Sequence, residues 1–531
     1  MDGIVAPGLD TSRGNAVGWF LDRHVAAGRG GATAFTDPHR SLTYAALAEA
    51  SARFAGGLRA AGIGRERRLL MLLLDTVDFP VAFWGALRAG VVPVPVNTLL
   101  TAQQVAFMLE DSRAEAAIVS APLLAALGPV LAGSPWLRLV LVAATDGGPV
   151  PDLPPGARDL QRFLADAAPA PTPAAASPDE VAFWLYSSGS TGAPKGTKHV
   201  HASLRATAET YAAQVAGFRA DDVVYSAAKL FFAYGLGNAM TFPMSVGAQA
   251  VLLPDRPSPD AVLAVMARHR PTLFCGVPTL YAAMLAHPAL GRGAGSDRLR
   301  LCLSAGEALP EHVGERWSDT VGADILDGIG STEMLHIFLS NRPDAIRYGT
   351  TGTAVPGYEL RIVDERDADV PPGEIGELLV RGPSAAEGYW NQREKSRRTF
   401  QGEWTRTGDK YAQDSEGRYR YQGRTDDMFK VSGIWVSPFE VEAALMAHPA
   451  VQEAAIIGRD DADGLTKPMA FVVLKEGAAP PGPALTEALQ AHVKARVGPW
   501  KYPRWIEAVE ELPKTATGKI QRFKLREGLA G

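Results

Sequence analysis

Strand-like and helix-like runs alternate through roughly the first 400 residues of this 531-residue chain, and that alternation limits its fold more than any other feature. Leu69–Leu74, Val91–Val96, Ala116–Ser120, Leu139–Val142, Val181–Tyr186, Ala248–Leu253 and Leu273–Gly276 read as short buried strands. Helical patterns such as Tyr44–Ala61 and Ala202–Gln214 intervene. Apolar strands separated by helices predict an α/β fold of parallel-rich sheets covered by helices. The length exceeds what one core can serve, so two or more domains are expected.

The last hundred residues have a different texture. Ser437-Pro438-Phe439-Glu440 combines an N-cap serine, a proline at the first helical position and a glutamate three residues after the cap. It predicts a helix to about His448, followed by strands Val451–Ile457 and Met469–Leu474 and a helix Leu485–Val497. The expected division is a large N-terminal domain, 1–425, and a small α+β domain, 426–531.

Bulk chemistry excludes several classes. A net charge of -5 argues against a nucleic-acid-coating protein. The apolar run Leu69–Leu74 is too short to insert in a membrane and is followed by Asp75. Met1–Gly14 lacks a signal pattern. Cys275 and Cys302 both sit in apolar text, as small buried hydrophobes and not a disulfide, which suits a cytoplasmic protein. No cysteine or histidine spacing suggests a structural metal.

The segment Tyr186-Ser187-Ser188-Gly189-Ser190-Thr191-Gly192-Ala193-Pro194-Lys195-Gly196 follows a buried strand. Its glycines permit close backbone approach, and its hydroxyls and one lysine surround backbone N–H groups, a cradle for a polyphosphate. It is not the usual NTPase loop, because Pro194 precedes Lys195 and Gly196 follows it. A second constellation, Asp327-Gly328-Ile329-Gly330-Ser331-Thr332-Glu333, offers glycines for a flat ligand, a hydroxyl for a phosphate oxygen and a carboxylate for magnesium.

Together these segments resemble the adenylate-forming superfamily of acyl- and aryl-CoA ligases, peptide-synthetase adenylation domains and luciferases. The resemblance spans nearly the whole chain. It implies that Ser187, Ser188, Gly189, Ser190, Thr191, Gly192 and Lys195 hold the phosphates of ATP, with Thr332 beside them and Glu333 holding Mg2+. Gly306, Glu307, Asp327 and Ile329 would line the nucleotide. An aromatic residue commonly occupies the place of Ile329 in the family. In Trp404–Asp409, Asp409 takes the ribose role, and Arg424 pairs with phosphate or ribose. Asp426 resembles the hinge, and Lys430, Ser432 and Gly433 the strip facing coenzyme A. In Pro513–Ile520, Lys519 resembles the adenylation lysine, so the catalytic set is Lys519, Thr332 and Lys195.

Phe231–Asn238 is aromatic and glycine-rich and, with Leu335-His336-Ile337, reads as an acyl pocket. Phe232, Ala233, Tyr234, Gly235, Gly328, Gly330, Leu335, His336 and Ile337 are its candidate residues, with Ala233, Gly328 and Gly330 leaving a slot for a flat ring. The wording of Ser226–Asn238 is similar to benzoate–CoA ligases. The implied activity is ATP-dependent adenylation of benzoate or an amino- or hydroxybenzoate, then thioester formation with coenzyme A, with a homodimer as a compatible state. Two alternatives stay open: loading of an aryl acid onto a carrier protein, and a short-chain acyl-CoA ligase.

Overall fold

The parallel sheets expected from the alternation are present in the computed structural model. It describes residues 14–150, 152–188, 194–293, 295–425, 427–431, 434–462, 465–478, 480–498, 501–514 and 520–529. Arg68–Leu72, Val92–Pro95, Ala116–Ser120, Leu139–Ala143 and Ala157–Asp159 form one wholly parallel sheet. A nine-stranded sheet has Leu301–Ser304, Leu273–Gly276, Val223–Ser226 and Gln249–Val251 as its parallel centre. Most residues of these strands are buried, as in sheets covered on both faces. Trp317, Tyr281, Phe274 and Tyr225 fill the core beside the nine-stranded sheet, and Leu70, Val94, Val119 and Val142 that of the five-stranded one.

Val181–Ser188 departs from the expected parallel arrangement. It pairs antiparallel with Pro194–Val200, and Gly388–Tyr389 adds a third strand. Only residues 189–193 connect the first two, and a parallel neighbour would need a crossover of a dozen or more residues. Lys195 and Gly196 therefore lie on the returning strand of an antiparallel pair. The helix expected over Ala202–Gln214 also changes character: His201–Thr207 is α-helical, and Ala208–Ala216 continues as a π-helix.

The chain condenses into two compact units, Met1–Glu359 with Val380–Thr405 and Leu360–Leu379 with Arg406–Gly531. Within the second, the α+β text at the end of the chain becomes a helix Pro438–Met446, an antiparallel pair Val451–Asp460 and Thr466–Leu474, a helix Pro483–Val497 and a parallel edge strand Trp505–Ala508. Ser437 caps its helix by accepting from the Glu440 N–H at 3.1 Å. The Glu440 carboxylate does not complete a capping box; it bonds Lys501 at 2.5 Å.

The end of this unit is fixed by a buried ionic cluster. Glu442, 4% exposed, accepts from the Ile456 N–H at 2.7 Å and from two Arg522 nitrogens at 2.8 and 3.2 Å. Arg522 also reaches Asp427 at 3.2 Å, and Arg526 reaches it at 2.8 Å. Removing one member of a buried pair strands the other charge, at a cost of about 3–5 kcal/mol. Arg522→Met is expected to destabilise the second unit by about 3 kcal/mol in urea unfolding. A loss below about 1 kcal/mol would place the cluster among solvent-screened surface pairs.

Candidate active site

The returning strand Pro194–Val200 delivers Lys195, Thr197 and His199 to one face, because strand side chains alternate. Lys195 Nζ donates to Glu333 Oε1 at 2.8 Å and lies 2.9 Å from the Tyr389 hydroxyl. Tyr389 in turn donates to Glu333 Oε1 at 2.7 Å. Burial alone would raise the Glu333 carboxyl. The adjacent Lys195 charge, with bonds from Lys195 and Tyr389, holds it below the usual carboxylate range. An anion and a cation thus stand together beside the loop predicted to cradle phosphates.

Glu333 sits in a turn held from three sides. Ile325–Gly330 and Ile337–Ser340 form an antiparallel hairpin, and residues 331–336 connect them. His199 Nε2 is 2.7 Å from the Thr332 carbonyl, Ala386 N–H donates to the Glu333 carbonyl at 2.8 Å, and Ser384 Oγ donates to the Met334 carbonyl at 2.7 Å. Burial lowers His199 to about 4, so its ring is neutral at pH 7, and the nitrogen facing a carbonyl carries the proton. Leu335 has φ of 64°, a left-handed conformation that is costly for a leucine and is maintained by these surrounding bonds.

The acyl-pocket residues converge on the same turn. His336 is 3% exposed, and its ring centroid is 4.4 Å from Phe242, 5.4 Å from Tyr211 and 5.7 Å from Tyr234. Burial lowers its pKa to about 3. A Cβ at Gly237 would lie 2.3 Å from this ring, so the ring's seat requires a glycine. Leu335 and Ile337 are buried, while Phe232, Ala233 and Tyr234 are partly exposed. Ala233–Leu236 forms a short helix with Gly235 inside it. Asp75 anchors the entry to that helix, because its carboxylate accepts from the Leu230 N–H at 3.2 and 3.3 Å. Burial pushes Asp75 up to about 6.

Gly328 and Gly330 were expected to leave a slot for the ring. A Cβ at Gly330 would lie 2.5 Å from the His336 carbonyl oxygen, and one at Gly328 would lie 2.9 Å from the Ile337 side chain. Close packing within the hairpin therefore suffices to require both glycines. Ile329 pairs with Leu339 across the hairpin. Asp327 lies beside Ser304 in the sheet register and is 5% exposed. Burial raises it to about 8 against the opposing Leu309 and Gly328 N–H groups and Ser304, so it carries a proton at pH 7. Gly306 is exposed with φ of 96°, and Glu307 is half-buried.

In the second unit, Asp409 and Arg424 are register partners, with Arg424 Nη1 2.9 Å from Asp409 Oδ1. Ser187 Oγ is buried without a protein hydrogen-bond partner. Ser188 and Lys430 are placed as strand residues only. The calls on Gly189, Ser190, Thr191, Gly192, Asp426, Ser432, Gly433 and Lys519 lie outside the described residues.

Sequence reading missed His199, Tyr389, Ser384, Asp75 and Tyr211. Alternation after the loop was a usable signal for His199, since it shares a face with Lys195. The others act across long sequence separations.

Magnesium binds through one or two carboxylates together with phosphate oxygens and waters. One half-buried carboxylate, Glu333, beside Lys195 at the end of the segment expected to cradle phosphates, is a donor set of that kind, so these residues fit the ion. Among the described residues no group of three or more His, Cys, Asp or Glu forms an all-protein metal cage. No described helix is long and apolar enough to cross a membrane. Both cysteines are buried and unpaired, as expected.

Comparison with known proteins finds relatives along nearly the whole chain. The chain is 54% identical over 518 residues to a 4-hydroxybenzoate–CoA/benzoate–CoA ligase of Rhodopseudomonas palustris, covering 97% of this chain and 94% of that protein. A solved benzoate CoA ligase from Burkholderia xenovorans LB400 superimposes with a TM-score of 0.88 at 52% identity, covering 96% of this chain and 99% of that one. A solved anthranilate CoA ligase in complex with anthranoyl-AMP gives a TM-score of 0.90 at 41% identity, with 97% of each chain covered. The AMP-binding enzyme model matches residues 22–390 and its C-terminal domain model residues 440–519, and the chain belongs to this adenylate-forming family.

Proposed function

We propose that the protein is an aryl-CoA ligase that adenylates benzoate or a hydroxy- or aminobenzoate and transfers the acyl group to coenzyme A. The observation that carries this reading is the turn at residues 331–336. It holds Glu333, bonded to Lys195, at one end and His336, ringed by aromatic side chains, at the other. A nucleotide phosphate and a flat carboxylic acid would meet across it. The similar proteins named above for benzoate, hydroxybenzoate and anthranilate add support.

A carboxylate is a poor acyl donor until its oxygen is converted to a good leaving group. Attack on the α-phosphate of ATP gives a mixed anhydride and releases diphosphate. Both reactants are anionic, so positioning and charge neutralisation dominate the catalysis. Lys195 supplies a fixed cation, Thr332 a hydroxyl, and Glu333 would hold Mg2+, whose charge offsets that of the phosphates. His199 acts on the Thr332 carbonyl and so positions the turn. Asp409 and Arg424 are assigned to the ribose end. The thiol of coenzyme A then attacks the acyl carbonyl, and AMP departs.

The half-reactions need different groups at one centre. In this proposal the segment 426–531 turns about Asp426, presenting Lys519 for adenylation and then Lys430, Ser432 and Gly433 to coenzyme A. A cytoplasmic setting accords with two unpaired thiols.

The test is kcat/KM for thioester formation with acetate, octanoate, benzoate and the hydroxy- and aminobenzoates. It is repeated in Lys519→Ala and Asp426→Pro, with acyl-AMP supplied as a second substrate. Each methylene is worth roughly 10–200-fold in an apolar pocket, so acetate should trail benzoate by several orders of magnitude. Lys519→Ala should lose about 10²–10³ in adenylation yet convert supplied acyl-AMP. Asp426→Pro should adenylate and fail to transfer. Acetate or octanoate leading the panel would overturn the aryl assignment. Equal losses in both half-reactions of Lys519→Ala, or full turnover by Asp426→Pro, would overturn those roles.

A further inference from the structure

Three buried polar atoms, on His336 and the two tyrosines packed against its ring, have no hydrogen-bond partner in the protein: the Tyr211 hydroxyl, the Tyr234 hydroxyl and His336 Nδ1. Tyr211 is fully buried on the π-helical segment Ala208–Ala216, and such segments recur at functional sites. Both phenols are raised by burial, and both sense Cys275 and Asp327, so their hydroxyls end in one region. Ser340 lies next to Tyr211; its hydroxyl donates to the Asn341 carbonyl at 2.9 Å, lies 3.3 Å from that of Asp327 and keeps lone pairs towards the phenol, whose own oxygen stays open as an acceptor. Buried polar groups left unpaired cost about 1–3 kcal/mol each, so three such groups around one imidazole form a set that a polar ligand atom would satisfy.

The chemistry of that atom follows from the hydrogen-bond roles. His336 is neutral, and its Nε2 lies 3.3 Å from the Tyr234 carbonyl, which can only accept. Nε2 therefore carries the proton, and Nδ1 presents a lone pair. Each phenol can donate or accept. A ligand group that gives a proton to Nδ1 and takes one from a tyrosine satisfies the set. A ring hydroxyl does both. An aromatic amino group gives well but accepts poorly, because its lone pair is drawn into the ring. A halogen or methyl group does neither well.

We propose that Tyr211 is a specificity-determining residue whose hydroxyl, with His336 Nδ1, recognises a hydroxyl on the substrate ring. This rests on the aryl-CoA ligase reading and adds to it both a residue that the sequence did not single out and a preferred substituent.

The test is Tyr211→Phe, which keeps the ring packed against His336 and removes the hydroxyl. kcat/KM is measured in both proteins with benzoate, the three hydroxybenzoates and 4-fluorobenzoate, alongside the thermal midpoint. The wild type should process at least one hydroxybenzoate isomer better than its fluorinated or unsubstituted counterparts. In Tyr211→Phe the ratio of that isomer to benzoate should fall by about 5–100-fold, the cost of leaving a buried polar group without its partner. Equal losses for every ring would mean that the hydroxyl serves the hairpin through Ser340, and would overturn the proposal. An unchanged ratio, or a wild type that accepts benzoate and rejects all hydroxybenzoates, would overturn it while leaving the aryl-CoA ligase reading intact. A wild type inactive on every ring would instead remove the underlying reading.

Discussion

Glu333→Gln lowers acyl-adenylate formation by about 10²–10³-fold, the cost of removing a preorganised charged group from a transition-state site. Glutamine keeps the size of the side chain and can still accept from Tyr389. It cannot hold Lys195 by charge, nor serve magnesium as an anionic ligand. Both effects act on the phosphate end, so acyl-adenylate formation, read by ATP–diphosphate exchange, should fall, and the magnesium concentration for half-maximal exchange should rise. Lys195→Met should lose a similar factor. Because Lys195 and Glu333 bond each other at 2.8 Å, the double variant should lose less than the product of the single losses. Thioester formation from supplied acyl-AMP should be far less affected. Exchange within threefold of wild type in Glu333→Gln would show that the pair is structural.

The second large effect concerns pH. His24, His199 and His201 are lowered to about 4 and His336 to about 3, in each case chiefly by burial. The unfolded chain binds protons at these groups below about 6.5, whereas the native state stays neutral until pH 3–4. Stability is therefore lost as pH falls through that window. Asp75 and Asp327, raised to about 6 and 8, act in the opposite sense. Protonating them in the native state recovers stability as pH falls towards the unfolded carboxylate value. Between pH 6.5 and 5 the unfolded chain holds on average about one and a half more protons at these groups than the native one, worth about 3 kcal/mol in total. The urea midpoint should fall across pH 6.5, 6 and 5. His24→Gln, whose amide can still donate to the Met244 carbonyl, should flatten the profile by about one proton. A midpoint constant over this range would mean that the imidazoles are already protonated in the folded protein.

What the sequence revealed was local. The hydroxyls, glycines and Pro-Lys-Gly ending around Lys195 are contiguous, so their chemistry could be read directly, as could the strand that precedes them. The serine cap at Ser437 announced its helix for the same reason. The antiparallel pairing of Val181–Ser188 followed from loop length and was available in principle. Tyr389 was not, because it reaches Lys195 from 194 positions away, and nothing local in a Gly-Tyr-Trp run signals that contact. Tyr211 was hidden in an ordinary amphipathic pattern whose π-helical geometry was not visible in the residue types. His336 was legible as a pocket residue. Its acceptor nitrogen was not, since that depends on the Tyr234 carbonyl 102 residues earlier. Gly328 and Gly330 carried a real glycine signal, and the cause now visible is the approach of the neighbouring strand.

The three carbonyls of Thr332, Glu333 and Met334 are each bonded by a group from outside the turn, and Leu335 is held in a left-handed conformation beside them. Fixing a residue's backbone costs about 1–2 kcal/mol in conformational entropy. Here that ordering is complete when the chain folds, not when a nucleotide arrives. An incoming substrate pair does not have to shape the surface it lands on, so more of its binding energy remains for the transition state. The turn therefore works as a fixed reference point: if the rest of the catalytic apparatus travels between half-reactions, Glu333 and His336 are the coordinates against which that travel is measured.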